Sequence, residues 1–499
     1  MDLFTNLSIG FGVAFTASNL FYCLVGVTLG TLIGVLPGIG PVATIAMLLP
    51  ITFNLPPESA LIMLAGIYYG AQYGGSTSAI LVNLPGEASS VVTAMDGYQM
   101  ARQGRAGAAL SIAAIGSFVA GCVGTLLIAS FAPPLANLAF KFGPPERFSL
   151  YVLGLVAAVV LAHGSLLKAF AMIALGLLFG LAGTDVTDGT QRYTFGIPNL
   201  SDGIGFAIVA MGMFGIAEII RSLEMGDKRE VFTSQLSRLW PTRQDIRSSW
   251  KAILRGTGLG SLLGILPGGG AVLASFTSYT LEKRLAADPQ RFGKGAIEGV
   301  AGPESANNAA AQTSFIPMLT LGIPSNPVMA LMIGAMIIQG IQPGPQVMTE
   351  RPELFWGMIA SMWVGNVMLV LLNLPLIGIW VRLLKVPYRL LYPAILMFCC
   401  VGVYSLSSSV VDIVLMAFFG LLGYILIKLE CEPAPFLLAF VLGPLMEEEL
   451  RRSINTARGD WSVFVSRPLS LALLVVAMVL LLLVVAPSLR KKREEAFQE

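Results

Sequence analysis

The sequence predicts an all-α polytopic membrane protein made of two inverted-topology repeats with re-entrant hairpins and broken helices. Three observations carry this reading. Of 499 residues, 55% are hydrophobic and only 12% charged, with a mean hydropathy of +0.77, whereas a soluble domain carries about 25% charged residues. One phrase occurs twice: Gly30-Thr-Leu-Ile-Gly-Val-Leu-Pro-Gly-Ile-Gly-Pro-Val42 returns 230 residues later as Gly260-Ser-Leu-Leu-Gly-Ile-Leu-Pro-Gly-Gly-Gly-Ala-Val272. The Lys and Arg residues of the loops give the two copies opposite senses.

Each copy is an apolar run that meets a Pro-Gly break and resumes. Proline removes a backbone donor and glycine permits positive φ, so a helix ends there. Inside a membrane, freed backbone groups are tolerated only against protein or a wet cavity. Apolar runs near 18–36, 41–53, 59–83, 88–100, 107–131, 147–163, 166–183 and 204–223 form a first transmembrane repeat over 1–223. Its residues 1–17 are expected to be a retained interfacial or partly inserted helix. A polar cytoplasmic linker, 224–251, follows. The second repeat, 252–455, holds runs near 252–266, 270–281, 296–316, 327–342, 353–381, 391–405, 410–428 and 434–447. Residues 456–499 supply a last spanning helix and a basic tail.

Bases accumulate on cytoplasmic loops. Arg102 and Arg105, the group from Arg221 to Lys251, the cluster Lys283, Arg284, Arg291 and Lys294, and the tail Arg490-Lys-Lys-Arg493 are therefore placed inside. Segment 50–58 has no base, and 184–203 sets three aspartates against Arg192, so both are placed outside. The first break thus leads to an outer loop and the second to an inner one. Segment 448–467 runs against the trend: parity puts it outside, yet it carries Arg451, Arg452, Arg458 and Arg467 beside several acids. The similarity between the halves extends to Asn83-Leu-Pro-Gly-Glu-Ala-Ser89 against Leu321-Gly-Ile-Pro-Ser-Asn-Pro327, and to Ala217–Ser222 against Glu448–Ser453.

The same composition excludes other classes. There is no phosphate-binding Walker loop, no nucleic-acid-binding basic tract, and a net charge near +2. The five cysteines lack metal-ligand spacing and read as small buried side chains. The lone His163 reads as a loop residue at a helix end. Neither a catalytic triad nor a cofactor is expected, so the chain is not read as an enzyme.

Four breaks are candidates for a site: Pro37–Pro41; Gly74–Ser78 with Asn83–Ser90; Pro267–Gly270; and Glu304–Asn308 with Gly322–Asn326. Helix starts present unpaired N–H groups and a positive dipole end to an anion. The expected substrate-binding residues are Pro37, Gly38 and Gly40; Ser76, Thr77, Ser78, Asn83, Gly86, Ser89 and Ser90; Gly268, Gly269 and Gly270; and Asn307, Asn308, Ser325 and Asn326. Glu87, Glu304 and Thr313 are the candidates for ion coupling, since ionisable groups at membrane depth are expensive and often functional. The coupling ion is Na⁺ or H⁺, and a sodium ion would take its ligands at the same breaks. Asp96, close to Arg102, reads as a marker of the cytoplasmic boundary.

Several of these motifs, Gly34-Val-Leu-Pro-Gly-Ile-Gly-Pro41, Tyr69-Gly-Ala-Gln-Tyr-Gly-Gly-Ser-Thr-Ser-Ala-Ile80, Leu84-Pro-Gly-Glu-Ala-Ser-Ser90, Asp96-Gly-Tyr98, Gly302-Pro-Glu-Ser-Ala-Asn-Asn308, Leu321-Gly-Ile-Pro324 and Gln342-Pro-Gly-Pro345, stand in fixed order. Together they resemble the large membrane subunit of the bacterial tripartite tricarboxylate transporters, the TctA family, over roughly residues 18–455. The resemblance implies the transmembrane subunit of a binding-protein-dependent secondary transporter in the bacterial inner membrane, with its C-terminus cytoplasmic. It would import a di- or tricarboxylate with a cation by alternating access. It implies two partners, a small TctB-like membrane subunit and a periplasmic TctC-like solute-binding protein. The other reading of the residues is a carboxylate channel or a membrane scaffold without coupled transport.

Overall fold

The computed structural model describes residues 3–36, 40–161, 165–185, 189–225, 240–266, 270–383 and 391–485. His163 and the tail lie outside them. In the first half, α1 (Leu3–Ala14), α2 (Ala17–Val35), α3 (Gly40–Thr52), α4 (Pro57–Val82), α5 (Val91–Arg102) and α6 (Ala106–Ala139) lead to α7 (Pro144–Leu161) and α8 (Leu166–Gly180). A small antiparallel ladder, β1 (Gly183–Thr184) with β2 (Gln191–Arg192), precedes α9 (Phe206–Ala210) and α10 (Ala217–Met225), which are joined by a π-helical turn at Met211–Ile216.

The second half runs α11 (Arg243–Ile265), α12 (Gly270–Leu285), α13 (Glu298–Thr313), α14 (Phe315–Leu321), α15 (Pro327–Ile338), α16 (Gln346–Glu350) and α17 (Pro352–Asn373). It continues through α18 (Ile377–Leu383), α19 (Leu391–Ser407), α20 (Val410–Lys428), α21 (Pro433–Thr456), α22 (Val463–Ser466) and α23 (Pro468–Val485). Among the described residues α2, α6, α17 and α20 are long and apolar enough to cross a membrane.

Local chemistry sets the ends. Proline occupies the first turn of α4, α15, α17 and α21, where its missing N–H costs nothing. Thr242 and Asp245 form a reciprocal capping box that starts α11 at Arg243. Residues 243–251 of the predicted linker are thus helical. α1 lies along α17, with Gly10 pressed on the Trp356 carbonyl.

Two glycine seams organise the core. A Cβ on Gly26, Gly30 or Gly34 of α2 would stand 2.3, 2.4 or 2.4 Å from the carbonyl oxygens of Met63, Ile67 and Ala71 in α4. On α11, Gly256, Gly260 and Gly264 meet the carbonyls of Gly302, Ala306 and Ala310 in α13 in the same way, at 2.3, 2.1 and 2.4 Å. Each pair rises in step, so α2 and α4 are parallel, as are α11 and α13. The single helix between each pair, α3 or α12, must therefore return the chain to the level where it began. The two pairs oppose each other: Gly97 lies against both Ile80 and Val300, whereas Tyr68, further back on α4, lies against Phe315 beyond α13.

Side-chain ties group the loops into two ends. At one, Arg105 pairs with Asp245 at 2.6 Å, and Gln103 donates to the Lys294 carbonyl at 2.8 Å. At the far end of α6, Arg467 pairs with Glu146 at 3.1 Å and Arg147 with Glu449 at 3.3 Å. Arg451 pairs with Asp185 at 2.6 Å, and Arg192 with Glu447 at 2.9 Å. Arg451, Arg452 and Arg467 of the anomalous segment are each engaged by acids, and Arg451 and Glu447 lie with Asp185 and Arg192.

Two expected breaks are not breaks. Gly74–Ser78 lies within the continuous α4, because its glycines admit α2: a Cβ on Gly74 would be 2.3 Å from the Thr31 carbonyl. Glu304–Asn308 lies within α13, which continues through Pro303.

Candidate functional site

The loop after α4 is the best-formed part of the candidate site. Asn83 ends α4 in the left-handed conformation at φ 54. Gly86 then packs on α2, where a Cβ would fall 1.6 Å from the Gly34 carbonyl, so only glycine fits. Ser78 donates to that same carbonyl at 3.3 Å. The turn carries Glu87 back against α4. Gln72 donates to Glu87 Oε1 at 2.7 Å, and Ser89 donates to the Gln72 side-chain Oε1 at 2.8 Å. Gly75 opens the space beneath: a Cβ there would be 2.8 Å from Ser90 Oγ and 3.4 Å from Glu87 Cβ. Glu87 Oε2 and Ser90 Oγ are both buried without a hydrogen-bond partner among the described residues.

The second carboxyl group belongs to α13. Glu304 is fully buried and accepts a short hydrogen bond from Thr93 of α5 and one from Asn307 at 3.4 Å. Asn308 donates to Ser117 of α6 at 2.7 Å. Ser76 donates to the Tyr73 carbonyl at 2.8 Å. Thr77 is buried within α4. Tyr73 donates to Asn366 of α17 at 3.2 Å. Glu304 therefore joins the halves, while Asn307 and Asn308 extend its polar surroundings toward α6.

The remaining predicted residues are placed more structurally. Asn326 caps α15 through the Met329 N–H and donates to Tyr68 at 3.2 Å. Ser325 donates to the Ser314 carbonyl at 3.3 Å. Thr313 donates to the Ala309 carbonyl at 3.0 Å, beneath Gly264. Gly40 and Gly270 start α3 and α12 at φ 63 and φ 44, and Gly270 approaches Asn326. Pro37, Gly38, Gly268 and Gly269 lie outside the described residues.

Sequence reasoning missed Gln72, Thr93, Tyr68, Tyr73, Ser117 and Asn366 as site residues. Gln72 and Asn366 stand in apolar runs and were detectable as polar groups at membrane depth. A threonine or tyrosine in such a run carries no comparable signal. Asp96 is fully buried and lies at the end where Gln103 donates to the Lys294 carbonyl. The electrostatics are one-sided: no Lys, Arg or His is buried among the described residues, whereas Glu304 and Asp96 are.

A bundle of apolar helices, four of the described ones long enough to cross a membrane, with a carboxylate-bearing polar interior is the architecture of a membrane-embedded protein. The sequence model of the Tripartite tricarboxylate transporter TctA family matches residues 20–438, and the chain belongs to that family. It is a family of transporters, not of enzymes, and its members act in tripartite systems. A 52.8 kDa uncharacterised protein from Agrobacterium vitis, named for the 3′ region of TAR-I ttuC′, is 60% identical over 499 residues, covering 100% of this chain and 99% of its own. A second uncharacterised protein of that organism, named for the TAR-II ttuC′ 3′ region, is 61% identical over 240 residues, which is 48% of this chain and 99% of the relative. No solved structure matches.

Proposed function

We propose that the chain is the large transmembrane subunit of a binding-protein-dependent secondary transporter that imports a di- or tricarboxylate with a cation by alternating access. The observation that carries this is the pair of carboxyl groups at the junction. Glu304 of the second half takes a hydrogen bond from Thr93 of the first, while Glu87 holds one oxygen without a partner among the described residues. An anionic substrate entering a core with carboxyl groups and, among the described residues, no buried base requires accompanying positive charge. Glu87 Oε2 and Ser90 Oγ are the oxygens available to a sodium ion, and Glu87 alone suffices for a proton. Helix starts at Ser90, Gly270 and Asn326, with their hydroxyl and amide side chains, supply donors for the substrate carboxylates.

The parallel pairs α2–α4 and α11–α13, set antiparallel to each other, support an inverted repeat with re-entrant hairpins tipped by the two Pro-Gly phrases. The correspondence continues beyond them. Glu218 pairs with Arg221 at 3.6 Å, and Glu449 pairs with Arg452 at 3.8 Å near the opposite end. Inverted repeats with broken helices are a recurrent architecture of secondary transporters. The basic ends then face the cytoplasm of a bacterial inner membrane, together with the C-terminal tail. The opposite end meets a periplasmic solute-binding protein, and a small membrane subunit completes the assembly.

The test is uptake of labelled carboxylates into proteoliposomes holding the full assembly, with Na⁺ and pH gradients varied separately. Saturable uptake that needs one gradient and is lost in Glu87→Gln is expected. Unsaturable flux without any gradient would replace this reading with a channel.

A further inference from the structure

The buried Asp96 carboxylate accepts four hydrogen bonds, and transport as read above gives it no task. It lies midway along α5 and is fully buried. Its Oδ1 accepts three backbone N–H groups from the loop between α12 and α13: Gly293 at 2.9 Å, Gly295 at 2.8 Å and Ala296 at 2.8 Å. Its Oδ2 accepts the Tyr279 hydroxyl at 2.9 Å. Gly293 and Gly295 have φ of 82° and 103°, which turns successive N–H groups inward as an anion-binding nest. Gly299 permits the close approach of α13, because a Cβ there would be 2.3 Å from Asp96 Oδ2. Tyr279 is held by Phe292, edge to face at 5.4 Å. The loop therefore builds a receptor for one carboxylate, and the first half of the chain supplies it.

α5 makes this receptor relevant to the transport site. Thr93 lies one turn from Asp96 on the same side of α5 and donates to Glu304. Ser90 lies one turn further and faces Gly75, which Glu87 also approaches. The geometry points to Asp96 as a positioning residue: seated in the 293–296 nest, it sets the height of α5 and so holds Thr93 against Glu304. This rests on reading Glu304 as part of the transport site. The nest itself does not.

Asp96→Ala empties the nest while leaving its donors in place. The probes are formate and chloride, as sodium salts of equal concentration, applied to the full-length protein. Two readouts are compared: trypsin cleavage at Lys283, Arg284, Arg291 and Lys294, and carboxylate uptake by the reconstituted assembly. The variant should expose the loop to trypsin and lower maximal uptake about tenfold, because the buried donors lose their acceptor. Formate should restore both and chloride neither. Thr93→Val should lower uptake with the loop still protected. Should Asp96→Ala prevent folding, Tyr279→Phe removes one donor only and should give intermediate cleavage.

A loop equally protected in Asp96→Ala and Tyr279→Phe, or one that formate does not re-protect, would overturn the nest. A formate-restored loop with full uptake in Thr93→Val would instead overturn the link to Glu304 while leaving the nest standing.

Discussion

Asn83 and Gly322 end their helices in the same left-handed conformation, at φ 54, ψ 28 and φ 69, ψ 24. They are 239 residues apart, the interval that also separates Ile67 from Ala306 in the two glycine seams. At this register Glu87 corresponds to Asn326, one residue off the alignment expected from sequence. A left-handed turn costs an ordinary L-residue about 1–2 kcal/mol. Gly322→Ala should lower the melting temperature in detergent, since its Cβ would also sit 2.9 Å from the Pro343 carbonyl. Asn83→Gly should leave it nearly unchanged.

The seams make a second, sharper prediction. Gly260→Ala puts a methyl group 2.1 Å from the Ala306 carbonyl, which is backbone and cannot step aside. Such overpacking costs about 1–3 kcal/mol. Gly258→Ala, on the same helix with nothing within 4 Å, should be neutral or slightly stabilising. Thermal unfolding of both variants checks this, and equal losses would mean that the seam does not set the helix spacing.

Gln72 should matter to transport more than its place in an apolar helix implies. It donates to Glu87 and accepts from Ser89. Gln72→Leu keeps the bulk but releases both, so the half-saturating cation concentration should rise about tenfold, as expected for losing a hydrogen bond to a charged group. Unchanged cation dependence in reconstituted uptake would remove Gln72 from the site.

The paired charges around Asp185 and Glu447 are expected to contribute modestly. Arg451 and Asp185 lie 2.6 Å apart, with the arginine 36% exposed and the aspartate 3%. A double-mutant cycle of Asp185→Asn and Arg451→Gln should give a coupling of about 1 kcal/mol, weaker in high salt. Additive effects would show that the pair does not hold the β-ladder to α21.

Orientation is testable with single cysteines in a background lacking the native five. Gln103→Cys should react with an impermeant maleimide only from the cytoplasmic side. Arg452→Cys should react only from the periplasmic side. The same labelling side for both would exclude the proposed inversion.

Composition and the repeated Leu-Pro-Gly phrase made the helical, membrane-embedded class and the duplicated core legible in the sequence, because hydropathy and helix breaking are local properties. Glu87 and Glu304 were visible for the same reason, as acids in apolar surroundings. The runs Gly74–Ser78 and Glu304–Asn308 misled, since a glycine can mark a close helix contact and a polar cluster a buried hydrogen-bond network, and only the partner helix distinguishes these from a break. The partner of Asp96 was not legible for a related reason: nearness to Arg102 in sequence says nothing of a loop 197 residues away whose Gly293 N–H reaches its carboxylate. The sequence by itself determined the membrane class, the family, the two breaks and the acids of the core. The tertiary structure decided which acid meets which donor, that the two helix pairs oppose each other, and that Asp96 seats a distant loop. Those depend on contacts between segments far apart in the chain, whose geometry no local pattern encodes.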